Sequence, residues 1–289
     1  MPPSELAGGE ISRYPAKMPF TLLRLALAGA LLLAVAPTFA QSAPPVAAYT
    51  GPRYPGGPDS LRALVGRSMR HATPGLTGRA LVQFELKPDG QPRNFSMVRP
   101  PDPLRRPLVD ATAIALTYLE AHMPAWQPAP PDADAKTANK NTKINLTLDF
   151  GTPPTSLPYH YADQNPIFSG MVKLLQAQRG QYFERILADP AKLAQFQSST
   201  KGLNQMIQIL VRYPAEALRN QQQGIVYIYF EVDETGAIEH PEILGTAGTV
   251  LDAEVLRTVS TLPAATTPAQ LQNRAVRVSY VVPLTFAIQ

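Results

Sequence analysis

Glu231, Asp233 and Glu234 stand close together in the stretch GIVYIYFEVDETG, Gly224 to Gly236. Neighbouring carboxylates can perform hydrolysis if one is desolvated and protonated while the other stays ionised across a cleft. The letters between them argue otherwise. Val226, Ile228, Phe230 and Val232 alternate with Tyr227, Tyr229, Glu231 and Asp233, the period of two that marks a half-buried strand. That alternation puts Glu231 and Asp233 on the outward, solvent side of a hairpin. His71, His122, His160 and His240 are scattered, without the His-x-x-x-His or His-Glu-x-x-His spacing that sets two ligands on one helical face. They are expected at the surface. The chain has no cysteine, so disulfides, thiolate metal sites and a cysteine nucleophile are excluded. It also lacks a Gly-x-Ser-x-Gly elbow, a Walker loop and a dinucleotide fingerprint, and the YPGG of Tyr54 to Gly57 suits a turn. The expectation is a non-enzyme with no catalytic, cofactor-binding or metal-binding residues.

The elements that carry these residues occur in a doubled pattern. GRALVQFELKPDG starts at Gly78 and matches GIVYIYFEVDETG at an offset of 224 − 78 = 146. Its inward row Ala80, Val82, Phe84 and Leu86 corresponds to Val226, Ile228, Phe230 and Val232. Each strand runs into a KPDG or DETG turn, where a left-handed glycine, Gly90 or Gly236, closes a hairpin. Pro92 and Pro241 in the returning strands predict bulged or edge-like pairing. Helical segments follow, ending at Pro124 and Pro263; in the second, Leu251, Val255, Leu256, Val259 and Leu262 share a face. Closing strands are predicted over Lys143 to Phe150 and Arg274 to Phe286. The unit is strand, strand, helix, strand, and the expected fold is α+β: two small two-layer sandwiches joined by a helical insert.

Length and composition fit that division. At about 150 residues per domain, 289 residues allow two. The balance of 26 basic and 22 acidic residues is too even for a nucleic-acid-binding stripe. Residues 1–40 read as a signal peptide: Lys17 and Arg24, the apolar run Leu25 to Ala36, and small residues before a cut after Ala40. Translation starting at Met18 would leave residues 1–17 outside the protein. Twelve apolar residues span about 18 Å as a helix, short of a hydrocarbon core of about 30 Å. Residues 41–53 are a flexible start, 54–152 the first sandwich, 153–212 a proline-rich linker and helical insert, and 213–289 the second sandwich. The insert should hold two or three helices between Ile167 and Val211, broken near Gly180 and Asp189-Pro190.

YPAEAL (Tyr213 to Leu218), Gly224, VYIYFEVD, Gly236, LDAEVL (Leu251 to Leu256) and RVSYVVPLTF form an ordered set. That set resembles the C-terminal domain of TonB, the energy transducer of Gram-negative outer-membrane transport. Residues 54–150 keep other parts, YPGG and MPAWQP (Met123 to Pro128), and are similar to a degenerate copy. The resemblance implies a sheet module that grips an extended segment of an outer-membrane TonB-dependent transporter, or of another envelope protein, by strand addition. The partner-contact candidates are Tyr213 and Pro214, the closing-strand residues Arg277, Ser279 and Val281, and the outward pair Tyr227 and Tyr229. Tyr213-Pro214 could equally be a restrained lead into a helix, and the tyrosine pair could instead pack against the other sandwich. Unlike TonB, the chain shows a cleavable amino terminus and no long spacer, which implies a periplasmic, TonB-like binding protein. An uncleaved anchor would make it a full transducer coupled to an inner-membrane motor. Pairing of the two sandwiches would make it an envelope scaffold.

Overall fold

The computed structural model describes residues 48–98, 106–129, 141–177, 188–189, 193, 196–197 and 199–288. The signal-peptide expectation and the break near Gly180 lie outside these residues. Two antiparallel three-stranded sheets carry the fold. The first has β1 (Gly78–Leu86) between β2 (Pro92–Met97) and β3 (Thr142–Phe150), and the second has β4 (Gly224–Val232) between β5 (Ile238–Gly245) and β8 (Val278–Phe286). The α+β class follows directly from these sheets and the helices packed on them.

The two sheets pair their strands in the same way. Gly78 faces Phe150 and Phe84 faces Ile144; Gly224 faces Phe286 and Phe230 faces Tyr280. One irregularity also corresponds, although the β4–β5 ladder has a second slip, between Tyr227 and Ile228, that β1–β2 lacks. The β1–β2 ladder slips between Gln83 and Glu85, and the β4–β5 ladder slips between Tyr229 and Glu231. The bulged strands hold Asn94 at φ 56° and His240 at φ 52°, positions 240 − 94 = 146 apart. A bulge needs one residue outside the extended region, and asparagine and histidine tolerate the left-handed one better than most. Pro241 lies within its bulge, beside His240 and opposite Phe230, whereas Pro92 opens β2 opposite Leu86.

Each sheet buries its predicted row against helices. Val82, Phe84 and Leu86 pack with α1 (Gly57–Ser68) and α2 (Arg106–His122), through Leu61, Leu64, Leu108, Ala115 and Leu119. Trp126 closes this core, its ring edge-on to Tyr54 at 5.5 Å and Phe84 at 5.8 Å. Val226, Ile228, Phe230 and Val232 pack with α3 (Thr200–Leu210), α5 (Thr249–Ser260) and helical residues 169–177. A short α4 (Ala215–Arg219) starts after Pro214, and among the described residues no helix is long and apolar enough to cross a membrane.

Two local features depart from the sequence reading. Helix α1 was not expected after YPGG, although Pro58 in its first turn and Leu61, Leu64 and Val65 at helical spacing specify it. The closing strand is shorter than Arg274 to Phe286: β7 (Arg274–Ala275) folds back on β6 (Gln270–Leu271), and β8 begins at Val278. Gln272 and Asn273, both at positive φ, make the two-residue turn between β6 and β7. The alternation of apolar residues ran through this interruption and hid it.

The hairpin glycines do more than turn the chain. Gly90 sits at φ 84°, and its carbonyl accepts the Trp126 N–H at 2.9 Å; Gly236, at φ 92°, accepts Ala265 N–H at 2.8 Å. A Cβ on Gly90 would lie 1.8 Å from the Trp126 carbonyl oxygen, whereas one on Gly75, at φ 80°, would meet open space. Gly75→Ala should therefore cost only the left-handed penalty of about 1–2 kcal/mol. Gly90→Ala should cost at least about 2 kcal/mol more by detaching the Trp126 segment. Urea unfolding of the two variants checks the difference, and equal costs would refute the packing role of Gly90.

Candidate functional site

On the face of each sheet turned away from its helices, carboxylates were expected to meet solvent, and the tyrosines either a partner or the other sandwich. In the structure these two faces meet each other. Leu81 of β1 packs with Tyr229 of β4 and Leu244 of β5, and Val98, Tyr227 and Val281 complete the contact. The layers therefore run helices, sheet, sheet, helices. Tyr229 has no exposure at all, and Tyr227 is half-buried. Of the two readings left open for the tyrosine pair, packing between the sheets is the one observed.

This interface contains an ionic cluster as well as apolar side chains. Arg79, opposite Asp149 in the β1–β3 ladder, donates from Nε to Asp149 Oδ2 at 2.8 Å, from Nη1 to Glu242 Oε2 at 2.9 Å and from Nη2 to Glu231 Oε1 at 3.3 Å. Its guanidinium also lies 4.6 Å from the centre of the Tyr229 ring. One arginine of the first sheet thus joins two carboxylates and an aromatic ring of the second. On the other side of Glu231, Arg277 Nη1 donates to Glu231 Oε2 at 2.9 Å and to Glu239 Oε2 at 2.6 Å. Tyr229 Oη donates to Glu231 Oε1 at 2.6 Å.

Glu231, then, is not on the solvent side of a hairpin. It is 4% exposed, because the outward face of β4 is covered by the first sheet. Desolvation alone would raise its pKa, but hydrogen bonds from Tyr229 and Arg277, with the charges of His240 and Arg79, outweigh it and hold the carboxyl below its usual value. It is an ionised structural acid. Asp233 caps its own turn by accepting the N–H groups of Thr235 and Ala237, and Glu234 is exposed. The three acids of the opening stretch share no cleft, and among the described residues no group of three His, Cys, Asp or Glu could hold a metal.

The remaining contact candidates fall at two places. Tyr213 donates its hydroxyl to the Gln222 carbonyl and sets its ring edge-on to Phe286, while Pro214 caps α4. This corner is half-buried and ties α4 to the end of β8. Ser279 and Val281 lie along the outer edge of β8, which pairs with β4 on its other side, and Arg277 immediately precedes the strand. Part of that edge is engaged by the connector between the sheets. Ser279 N–H donates to the Tyr159 carbonyl at 2.8 Å, and Tyr159 N–H donates to the Arg277 carbonyl at 2.9 Å. Further along, Pro283 offers no donor, and the Thr285 backbone exchanges two hydrogen bonds with the Gln208 side chain. Val281 is the residue of this edge whose N–H and C=O meet no partner among the described residues. Sequence reasoning missed Tyr159 because a loop gives no pairing signal. It also missed Arg79, Asp149 and Glu242, which become a cluster only when the sheets stack.

His160, next to Tyr159, is not the surface histidine expected. Its Nε2 lies 3.3 Å from both the N–H and the carbonyl of Thr147 on the edge of β3. Burial pushes the imidazole down to about 4, against a weaker upward pull from the Thr147 backbone.

The described residues thus form an α+β scaffold with an ion-paired interior and a partly open strand edge. Residues 210–288 match the family model described as Gram-negative bacterial TonB protein C-terminal. That family is transport-associated and non-catalytic, and the match gives this part of the chain a TonB-like envelope character. No curated protein matches the chain, and no solved structure does.

Two predictions follow from these contacts. Arg79→Met leaves Glu231 and Asp149 buried beside each other without their shared cation, and should destabilise the fold by about 3–5 kcal/mol. Adding Glu231→Gln should cost less than the sum of the single changes, as a double-mutant cycle in urea would measure. A cost for Arg79→Met below about 1 kcal/mol would place the cluster among solvent-screened surface pairs. For His160, the folded value lies below the unfolded value of about 6.5. The unfolded chain therefore takes up the proton first as pH falls, so this contribution is present above about 6.5 and is lost toward 4. His160→Gln should flatten stability between pH 6.5 and 4, measured by urea midpoints across that range; an unchanged slope would show that the imidazole titrates normally.

Proposed function

We propose that this chain is a periplasmic TonB-like protein that recognises an extended peptide segment of an outer-membrane TonB-dependent transporter, or of another envelope protein, by strand addition. The observation that carries the reading is the match of residues 210–288 to the TonB C-terminal family, together with the position of β8 as an edge strand. We further propose that residues 54–152 are a degenerate second unit of the same kind, supported by the shared strand order, pairing and bulge positions of the two sheets. Export through a cleaved signal peptide belongs to the same proposal, as does the alternative of an anchored transducer working with an inner-membrane motor.

The edge itself limits how the grip can work. Each added backbone hydrogen bond contributes about 1 kcal/mol net, and association entropy costs several times that. With Tyr159 on Arg277 and Ser279, and Gln208 on Thr285, a strand pairing only at Val281 gains too little to hold. A binding peptide must therefore displace Tyr159 or add side-chain contacts, Arg277 and the Tyr213-Pro214 corner being the nearest candidates. A second reading draws on a specific observation. The outward faces of the sheets pack on each other around Leu81, Tyr229 and Leu244, as an envelope scaffold without peptide binding would require.

Titration of the full mature chain with TonB-box-like peptides, followed by amide chemical shifts, separates the two. Strand addition predicts saturable shifts at Ser279 and Val281 in the micromolar range or weaker. Silence along β8 with every peptide would leave the scaffold.

A further inference from the structure

Beside the Tyr159 contact, the edges of β3 and β8 border a cleft of about 150 Å³. Its walls include Lys143, Asn145 and Thr147 from β3, Val281 from β8, and His160 and Trp126 from the loops. Five buried side-chain polar atoms among the described residues meet no hydrogen-bond partner, and three of them belong to residues lining this one cleft: Trp126 Nε1, Thr147 Oγ1 and His160 Nδ1. Orphaned polar atoms are rare in folded proteins because each forfeits the hydration it had in the unfolded chain. Three at one cleft mark a place built around something that supplies their bonds.

All three of these atoms can donate a hydrogen bond. An indole N–H can only donate, and a threonine hydroxyl donates readily. His160 Nε2 lies 3.3 Å from both the N–H and the carbonyl of Thr147, and in the tautomer that accepts the N–H the ring carries its proton on Nδ1, which an anionic oxygen would favour. The lining contains no aspartate or glutamate, it includes the cation Lys143, and Thr200 brings the first turn of α3, an eleven-residue helix, to the same wall. Donors, a cation and a helix amino terminus all complement an anionic oxygen acceptor. The volume admits a group the size of a carboxylate with its short stem.

We propose that the cleft between β3 and β8 is a carboxylate-binding site, in which Trp126, Thr147 and His160 donate to the ligand oxygens and Lys143 balances their charge. The carboxylate comes either from a free small acid or from an acidic side chain of an extended polypeptide lying along the neighbouring strand edges. Neither source requires pairing at β8, so the site stands whether or not strand addition occurs.

Trp126 is the single tryptophan of the chain, which makes it a specific reporter. The full mature chain, labelled with nitrogen-15, shows one indole N–H resonance. Sodium acetate tests the free acid, and the peptide acetyl-Thr-Val-Glu-Val-Thr-amide tests the side chain, with Leu in place of Glu as control. The site predicts a saturable shift of the indole resonance with acetate or with the Glu peptide and none with the Leu peptide. Thr147→Val should weaken that binding about tenfold, the loss of one hydrogen bond to a charged group; Lys143→Ala, at an exposed position, gives the same test if the valine variant does not fold. Acetate binding assigns the free acid, and binding of the Glu peptide alone assigns a polypeptide. An indole resonance that no probe moves, or one that moves equally with the Leu peptide or in both variants, overturns the site. Strand addition is read separately from the β8 amides, so either idea can fail alone.

Discussion

The guanidinium of Arg79 holds together two surfaces that would otherwise repel or hydrate. Glu231, Glu242 and Asp149 would be a costly concentration of negative charge between two sheets, and Arg79 meets all three within 3.3 Å. Arg277 takes the far side of Glu231. Because a buried ion pair gains little over apolar packing, the cluster acts chiefly to specify how the sheets stack. Leu81, Tyr229 and Leu244 supply the apolar contact, and the charges allow it in one register.

Stacking covers the centre of the outward faces and leaves the sheet margins as their accessible strand edges. At the β3–β8 margin the chain has already spent part of the edge on its own connector, through Tyr159 on β8 and His160 on β3. The protein is thus arranged around its linker, which fastens the sheets at their rims while Arg79 fastens them at their faces. This economy of open edge separates the chain from a free sheet module, because any strand added at β8 would have to contend with the linker.

How much of this was legible in the sequence depended on the range of the interactions. The inward rows of β1 and β4 were readable because alternation is local, and Gly90 and Gly236 were readable because a left-handed turn demands glycine. The start of β8 was misread because Val276 continued the alternation past the turn at Gln272 and Asn273. Glu231 was misread for a deeper reason. Alternation tells which face a residue takes but not what covers that face, and its partners Arg79 and Arg277 lie 152 and 46 residues away. The same limit hid the connection between Thr147 and His160. Of the contact candidates, Tyr213 and Pro214 could be placed at a helix start, whereas the engagement of Ser279 depended on a loop with no periodic signal.

Pro283 and the side chain of Gln208 finish what Tyr159 begins along β8. A nine-residue strand with apolar residues and an unprotected margin is a template on which identical chains stack into fibrils. Here a missing donor, a side-chain clamp and a borrowed piece of loop break that margin into fragments too short to propagate. Copies of the chain would thereby be kept from polymerising through the very strand that resembles a docking edge.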